Sequence, residues 1–255
     1  SYYRQTYLVR QKDNMPDFKC REDLRKTVSR LKKIIKSHDH SELVICSDSA
    51  VAGAIEAFTE GLVLSIYSFD KYITRSDEKV KREYPSRLLL YGNIQNSELN
   101  WLRNTCEAVY LTRDLINEPP NHLNATALAD EIRKMGKASG FTAEVLNKAK
   151  IESLKMGGLL AVNRGSVDPP VFCILEWKPA DKRNSKPLVL VGKGVLYDTG
   201  GLNIKTGDYM SQMKADMAGA AAVAGTMYAI AKSNIPFHVI GLIPATDNRP
   251  GGNAF

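Results

Sequence analysis

The sequence has no long hydrophobic run: nothing in it approaches the roughly 18 apolar residues that a membrane-spanning helix needs. Cysteine is scarce, with four in 255 residues, at positions 20, 46, 106 and 173. They stand far apart and form no C-x-x-C pair, which argues against a disulfide framework. Cys46 and Cys173 sit inside apolar stretches, where a reduced thiol packs as a small hydrophobe. A reducing cytoplasm is therefore the expected compartment. The first residues, SYYRQTYLVRQK, lack the basic-then-apolar order of a secretory signal. Familiar nucleotide and hydrolase motifs are also missing. Gly192-Lys193-Gly194 begins like G-x-G-x-x-G, but Tyr197 stands where the third glycine belongs. Gly194 follows Lys193 where a Walker loop requires Ser or Thr, and there is no G-x-S-x-G. No internal repeat or low-complexity tract is present.

What is there is ordinary for a soluble globular protein: 44% apolar and 25% charged residues. The length allows one large core or two ordinary ones. Net charge is +7. The basic residues are scattered, however, at Arg21, Arg25, Arg30, Lys32, Lys33, Lys36, Lys79, Lys81 and Arg82. They fall on helix-like stretches among acidic residues and read as solvated faces. Net charge reports on solubility and association, and nucleic acid is not the expected partner.

Strand-like and helix-like stretches alternate. Tyr3–Arg10 and the apolar runs within Ser41–Cys46 and Arg87–Tyr91 predict strands. Leu24, Val28, Leu31, Ile34 and Ile35 recur at helical spacing within Arg21–Ser37. Ala50–Gly61 reads as a helix of small residues. Glu98–Asn117 predicts a long amphipathic helix, ended by Pro119-Pro120 because neither proline can donate the helical hydrogen bond. A second series follows: helix Ala127–Ser139 closed by Gly140, strand Phe141–Leu146, a short helix Ile151–Met156 closed by Gly157-Gly158, and strands Val171–Trp177 and Pro187–Val191. The last is an unbroken apolar run of the kind found in strands covered on both faces. Helix Asp216–Ala231 and strand His238–Pro244 complete the pattern. The expected class is α/β: a small N-terminal α/β domain at 1–96, a linker helix and junction at 97–125, and an α/β domain with a mixed, mostly parallel sheet at 126–255.

One stretch, Val191–Met217, concentrates chemistry-bearing side chains. Lys193 follows the strand PLVLV, and binding groups gather beyond the carboxyl ends of strands in open α/β sheets. Asp198 precedes Gly200-Gly201, whose backbone can bend sharply and approach a ligand closely. Lys205 lies on the loop beyond, and Asp216 opens an alanine-rich helix. Each residue has a plainer reading. Asp198 suits a turn, Asp216 suits a helix cap, and lysines are commonly solvated. Together they read as a partial metal-and-electrophile site. His38-Asp39-His40 reads as a polar turn more readily than as a metal site.

With these residues, the sequence resembles the leucine aminopeptidase family of two-metal exopeptidases. The similarity runs through VGKGVLYDTGGLNIK, MSQMKADMAGAAAVAG and IPATDNRPGGNAF, and the junction DLINEPPNHLNATALADEI is also similar. It covers roughly residues 97–255, and residues 1–95 match in layout alone. The resemblance implies that Lys193, Asp198 and Asp216 are ligands of two divalent ions, zinc or manganese, with Asp198 shared between them. It implies that Lys205 is the catalytic electrophile, polarising the scissile carbonyl. Met213 would line the pocket for the substrate's first side chain. Peptides would be the substrates, the compartment cytoplasmic and the assembly a hexamer.

The family's later acidic cluster, of the form N-T-D-A-E-G-R, is not found in these 255 residues. This chain alone is therefore expected to bind metal weakly and to be inactive. The alternative reading is a non-catalytic binding or structural module, with DNA as a candidate ligand.

Overall fold

The structure is a computed structural model that describes residues 6–9, 15–37, 41–48, 51–74 and 85–254. The chain forms two compact units, Ser1–Cys106 and Glu107–Phe255. Most of the strand expected at Tyr3–Arg10 lies outside the described residues, and 6–9 are not in a strand. His38-Asp39-His40 also lies outside them.

In the first unit, helices α1 (Asp17–Ser37) and α2 (Ala54–Ser65) accompany a parallel pair, β1 (Glu42–Cys46) and β2 (Arg87–Tyr91). Val28, Ile35, Ile45, Ile55 and Leu62 form the buried core. Gly61 lets α2 approach α1 closely, since a Cβ there would come within 2.7 Å of Arg25 Cα. Arg25 Nε donates to Glu60 at 2.6 Å and ties the two helices at the rim of that contact. Helix α3 (Asn96–Asn117) carries the division between the units and ends before Pro119.

The second unit continues with α4 (Ala125–Ser139), β3 (Thr142–Leu146), α5 (Lys148–Ser153), α6 (Gly157–Asn163), β4 (Val171–Trp177), β5 (Leu188–Val191) and β6 (Gly194–Asp198). A 3-10 helix (Met210–Ala215), α7 (Ala218–Lys232) and β7 (Val239–Asn248) follow. Asn124 caps α4 by accepting from the Ala127 N–H, and Gly140 closes it at φ 107°. The sheet is mixed. β3 pairs antiparallel with β4, and β4 with β7, while β5 and β6 both run parallel to β7. Leu128 and Ile132 of α4, Ala224 and Met227 of α7, Cys173 and Leu175 of β4 and Ile243 of β7 are fully buried in one core.

Three expectations are corrected. Gly157-Gly158 does not close a helix but opens α6. The preceding helix is α5, which starts at Lys148 because Asn147 accepts from the Lys150 N–H. β5 is not covered on both faces: Leu188, Val189 and Val191 are 56%, 47% and 70% exposed. It is an edge strand whose one partner among the described residues is β7. α7 begins at Ala218, two residues after Asp216.

The feature that organises the site is the length of β7. Its first part, Val239–Leu242, pairs with β5, and its last part, Ala245–Asn248, pairs with β6. β5 and β6 thus follow one another along the same edge, broken at Gly192-Lys193. Pro244, which has no N–H to give, sits at the break, where a sheet tolerates proline best. The start of α7 closes over the gap. A Cβ on Gly192 would come within 2.6 Å of Gly219 O, and Ala220 N–H donates to Lys193 O at 2.9 Å.

Candidate functional site

Asp198 is the last residue of β6 and faces Asn248, the last residue of β7. Just beyond it, Gly200 and Gly201 adopt φ 91° and 70°, a left-handed conformation that other residues reach only with strain. This turn aims the Gly200 N–H back at Asp198 Oδ1, 2.9 Å away. Asn248 Nδ2 donates to the same oxygen at 2.7 Å. The other oxygen, Oδ2, receives Lys205 Nζ at 2.8 Å. Burial alone would raise the Asp198 carboxyl. Hydrogen bonds from Lys205, Gly200 and Asn248, with the Lys205 charge, outweigh that and hold it at about 2.

Lys205 Nζ also lies 3.0 Å from Met213 Sδ on the 3-10 helix. That helix ends at Asp216, whose N–H donates to Met213 O at 3.3 Å. Asp216 does not cap α7, because the cap position is Met217 and carries no side-chain cap bond. Its carboxylate turns to Lys193, with Nζ 2.6 Å from Oδ2. That approach is an ion pair lying off the hydrogen-bonding direction, since Oδ2 is buried and accepts no aligned hydrogen bond. Asp198, Lys205, Met213, Asp216 and Lys193 therefore form one continuous run of contacts. Lys193 rises from the break between β5 and β6, not from the carboxyl end of a buried strand, and its side chain is 59% exposed.

Sequence reasoning assigned no part to Asn248 or to the Gly200 N–H. Asn248 stands inside the quoted IPATDN motif, but its link to Asp198 depends on the β6–β7 register, which no local signal reports. Asp247, 1% exposed, adjoins it. Burial raises its carboxyl and the nearby Arg249 charge counters this, with Arg249 Nε 3.2 Å from Oδ2.

Two carboxylates suit an oxygen-loving divalent ion, and Asp216 Oδ2, ion-paired with Lys193 but accepting no aligned hydrogen bond, is an acceptor such an ion would use. Among the described residues, no group of three or more His, Cys, Asp or Glu side chains gathers to hold a metal. Asp198 and Asp216 could hold a cation, and Lys193 could join them only as a neutral amine, since an ammonium has no lone pair to give.

Residues 110–255 match the cytosol aminopeptidase family, catalytic domain, and the chain belongs to that family. It is 42% identical over 218 residues to a probable cytosol aminopeptidase of Chlorobium limicola, covering 81% of this chain and 43% of that protein. Over 144 residues it is 51% identical to the corresponding protein of Chloroherpeton thalassium, covering 56% of this chain and 28% of that one. Among solved structures it resembles the bottromycin maturation enzyme BotP in complex with Mn, with TM-score 0.79, 31% identity, and 92% and 49% of the two chains covered. It also resembles the cytosol aminopeptidase of Coxiella burnetii, with TM-score 0.74, 26% identity, and 89% and 46% covered. The chain spans less than half the length of these relatives. No helix among the described residues is long and apolar enough to cross a membrane.

Proposed function

We propose that the protein carrying this chain is a metal-dependent aminopeptidase that releases leucine-type residues from the N-termini of peptides. The observation that carries the reading is the pairing of each carboxylate with its own lysine, linked through Met213. Asp198, Asp216 and Lys193, the last as a neutral amine, would hold divalent cations, zinc or manganese. Such cations, when bound, supply Lewis acidity and lower the pKa of water.

The chain's own side chains do the rest. Lys205 holds its ammonium against Asp198 and presents N–H donors to a carbonyl oxygen as negative charge builds there. Asp198 keeps that ammonium aimed. Met213, in contact with Lys205, would border the substrate's first side chain, where a flexible thioether accommodates several apolar shapes. We place the protein in the cytoplasm and expect a hexamer. Two carboxylates are few for two divalent ions, so this chain by itself should bind them weakly and turn over little.

The test is release of leucine from leucyl peptides, with and without a chelator. Chelation should abolish it. Lys205→Ala should lower kcat on the order of 10²–10³-fold. Full activity in that variant would sink the assignment of Lys205.

A further inference from the structure

We propose that Asn248 is a positioning residue that fixes the plane of the Asp198 carboxylate, so that one oxygen faces the site. The inference rests on the reading of Asp198 as a cation ligand. Asp198 Oδ1 already accepts two neutral donors, Gly200 N–H at 2.9 Å and Asn248 Nδ2 at 2.7 Å. Two hydrogen bonds fill the lone pairs of a carboxylate oxygen. Oδ2 is then the oxygen left for a charged partner, and Lys205 occupies it. The carboxylate cannot turn out of this plane without giving up both donors.

Asn248 is itself held rigidly. Its backbone carbonyl accepts from Thr199 N–H at 2.9 Å and from Thr199 Oγ1 at 2.8 Å. Its amide orientation follows from chemistry, because a carboxylate accepts and does not donate, so Nδ2 must face Asp198. The amide oxygen points to Gly201, where a Cβ would lie 3.0 Å from Asn248 Oδ1. The second glycine of the Asp-Thr-Gly-Gly turn thereby leaves room for the asparagine. Asn248 also keeps the arrangement neutral, adding a donor without a charge that would compete with Lys205 or a cation.

The experiment is Mn2+ titration of the wild type, Asp198→Ala and Asn248→Ala, followed by the signal of free Mn2+, with thermal unfolding measured alongside. Asn248→Leu is a second variant that keeps volume beside Gly201 and removes the donor. Ile132→Val, in the core on α4, is the control for lost stability alone. The expected result is affinity weakened about 10–100-fold by Asn248→Ala or Asn248→Leu, with Ile132→Val unchanged at a comparable shift in Tm. Wild-type affinity in both Asn248 variants would overturn the inference and leave the metal reading intact. Equal responses of wild type and Asp198→Ala would sink the metal reading, and this inference with it. A metal-free readout covers the case in which neither Asn248 variant folds. The Asn248 side-chain amide should move in the proton–nitrogen NMR spectrum of Asp198→Ala, and an unmoved resonance would overturn the contact.

Discussion

Asp198 shows how much one residue's environment can outweigh its burial. Its carboxyl sits at about 2, against 3.8 for an unperturbed aspartate, because Lys205, Gly200 and Asn248 favour the charged form more than burial disfavours it. The folded protein therefore sheds this proton where the unfolded chain still binds it. The stabilisation is full above pH 3.8 and is lost as pH falls towards 2. In metal-free protein, the difference in Tm between wild type and Asp198→Asn should close across that window. A constant difference would contradict the ion pair. The cysteines give a second check. Cys46 is exposed, while Cys20, Cys106 and Cys173 are buried, and burial pushes the Cys173 thiol up to about 12. A thiol reagent at mildly alkaline pH should label Cys46 rapidly and the other three after unfolding. At this scale the sequence was informative about charge-bearing side chains and silent about their neutral supports. Lys193, Asp198, Lys205 and Asp216 stand out by type and spacing. Asn248 does not, because an asparagine fifty residues from its partner looks like any turn residue.

At the scale of elements, the local signals that act within one turn were legible. Gly140 ends α4 in the left-handed conformation expected of a terminal glycine, and Pro119-Pro120 bounds α3. The pair Gly157-Gly158 is ambiguous in sequence because glycine both ends and begins helices, and only the capping by Asn147 settles where α5 starts. The apolar run LVLV reads as a covered strand, yet whether an apolar strand is covered depends on its neighbours in the sheet. Gly192 matters for a different reason: it lets α7 rest against the break between β5 and β6. Gly192→Ala would drive a methyl into Gly219 O and Ala220 Cα, at 2.6 and 2.8 Å. It should cost about 1–3 kcal/mol in chemical denaturation and displace Lys193 from Asp216. An unchanged midpoint would show that the helix can retreat freely.

For the whole molecule, the chain forms two units with separate cores, and each core draws on its own strand–helix series and its own set of apolar positions. Family membership was legible, because the motifs from Val191 onward are long and contiguous. The mixed character of the sheet was expected, but which strands pair antiparallel was not legible, since strand direction is set by tertiary packing. The exposed edge of β5 has a consequence for solution behaviour. A free apolar edge is a template for another strand. Sedimentation of the chain should depend on concentration, and Val191→Lys, at a position 70% exposed, should weaken that dependence. Monomeric behaviour of the wild type at all concentrations would argue that the edge is benign.

The tandem seating of β5 and β6 makes β7 a ruler. From Ala245 to Asn248 it spans about 10 Å of extended chain, and side chains alternate faces along it. One residue inserted there would leave Lys193 at its station and turn the terminal asparagine to the opposite side. The spacing between the two lysine–aspartate pairs is thus written in a strand that carries neither of them, and a one-residue insertion that replaces none of those four side chains would dismantle the site.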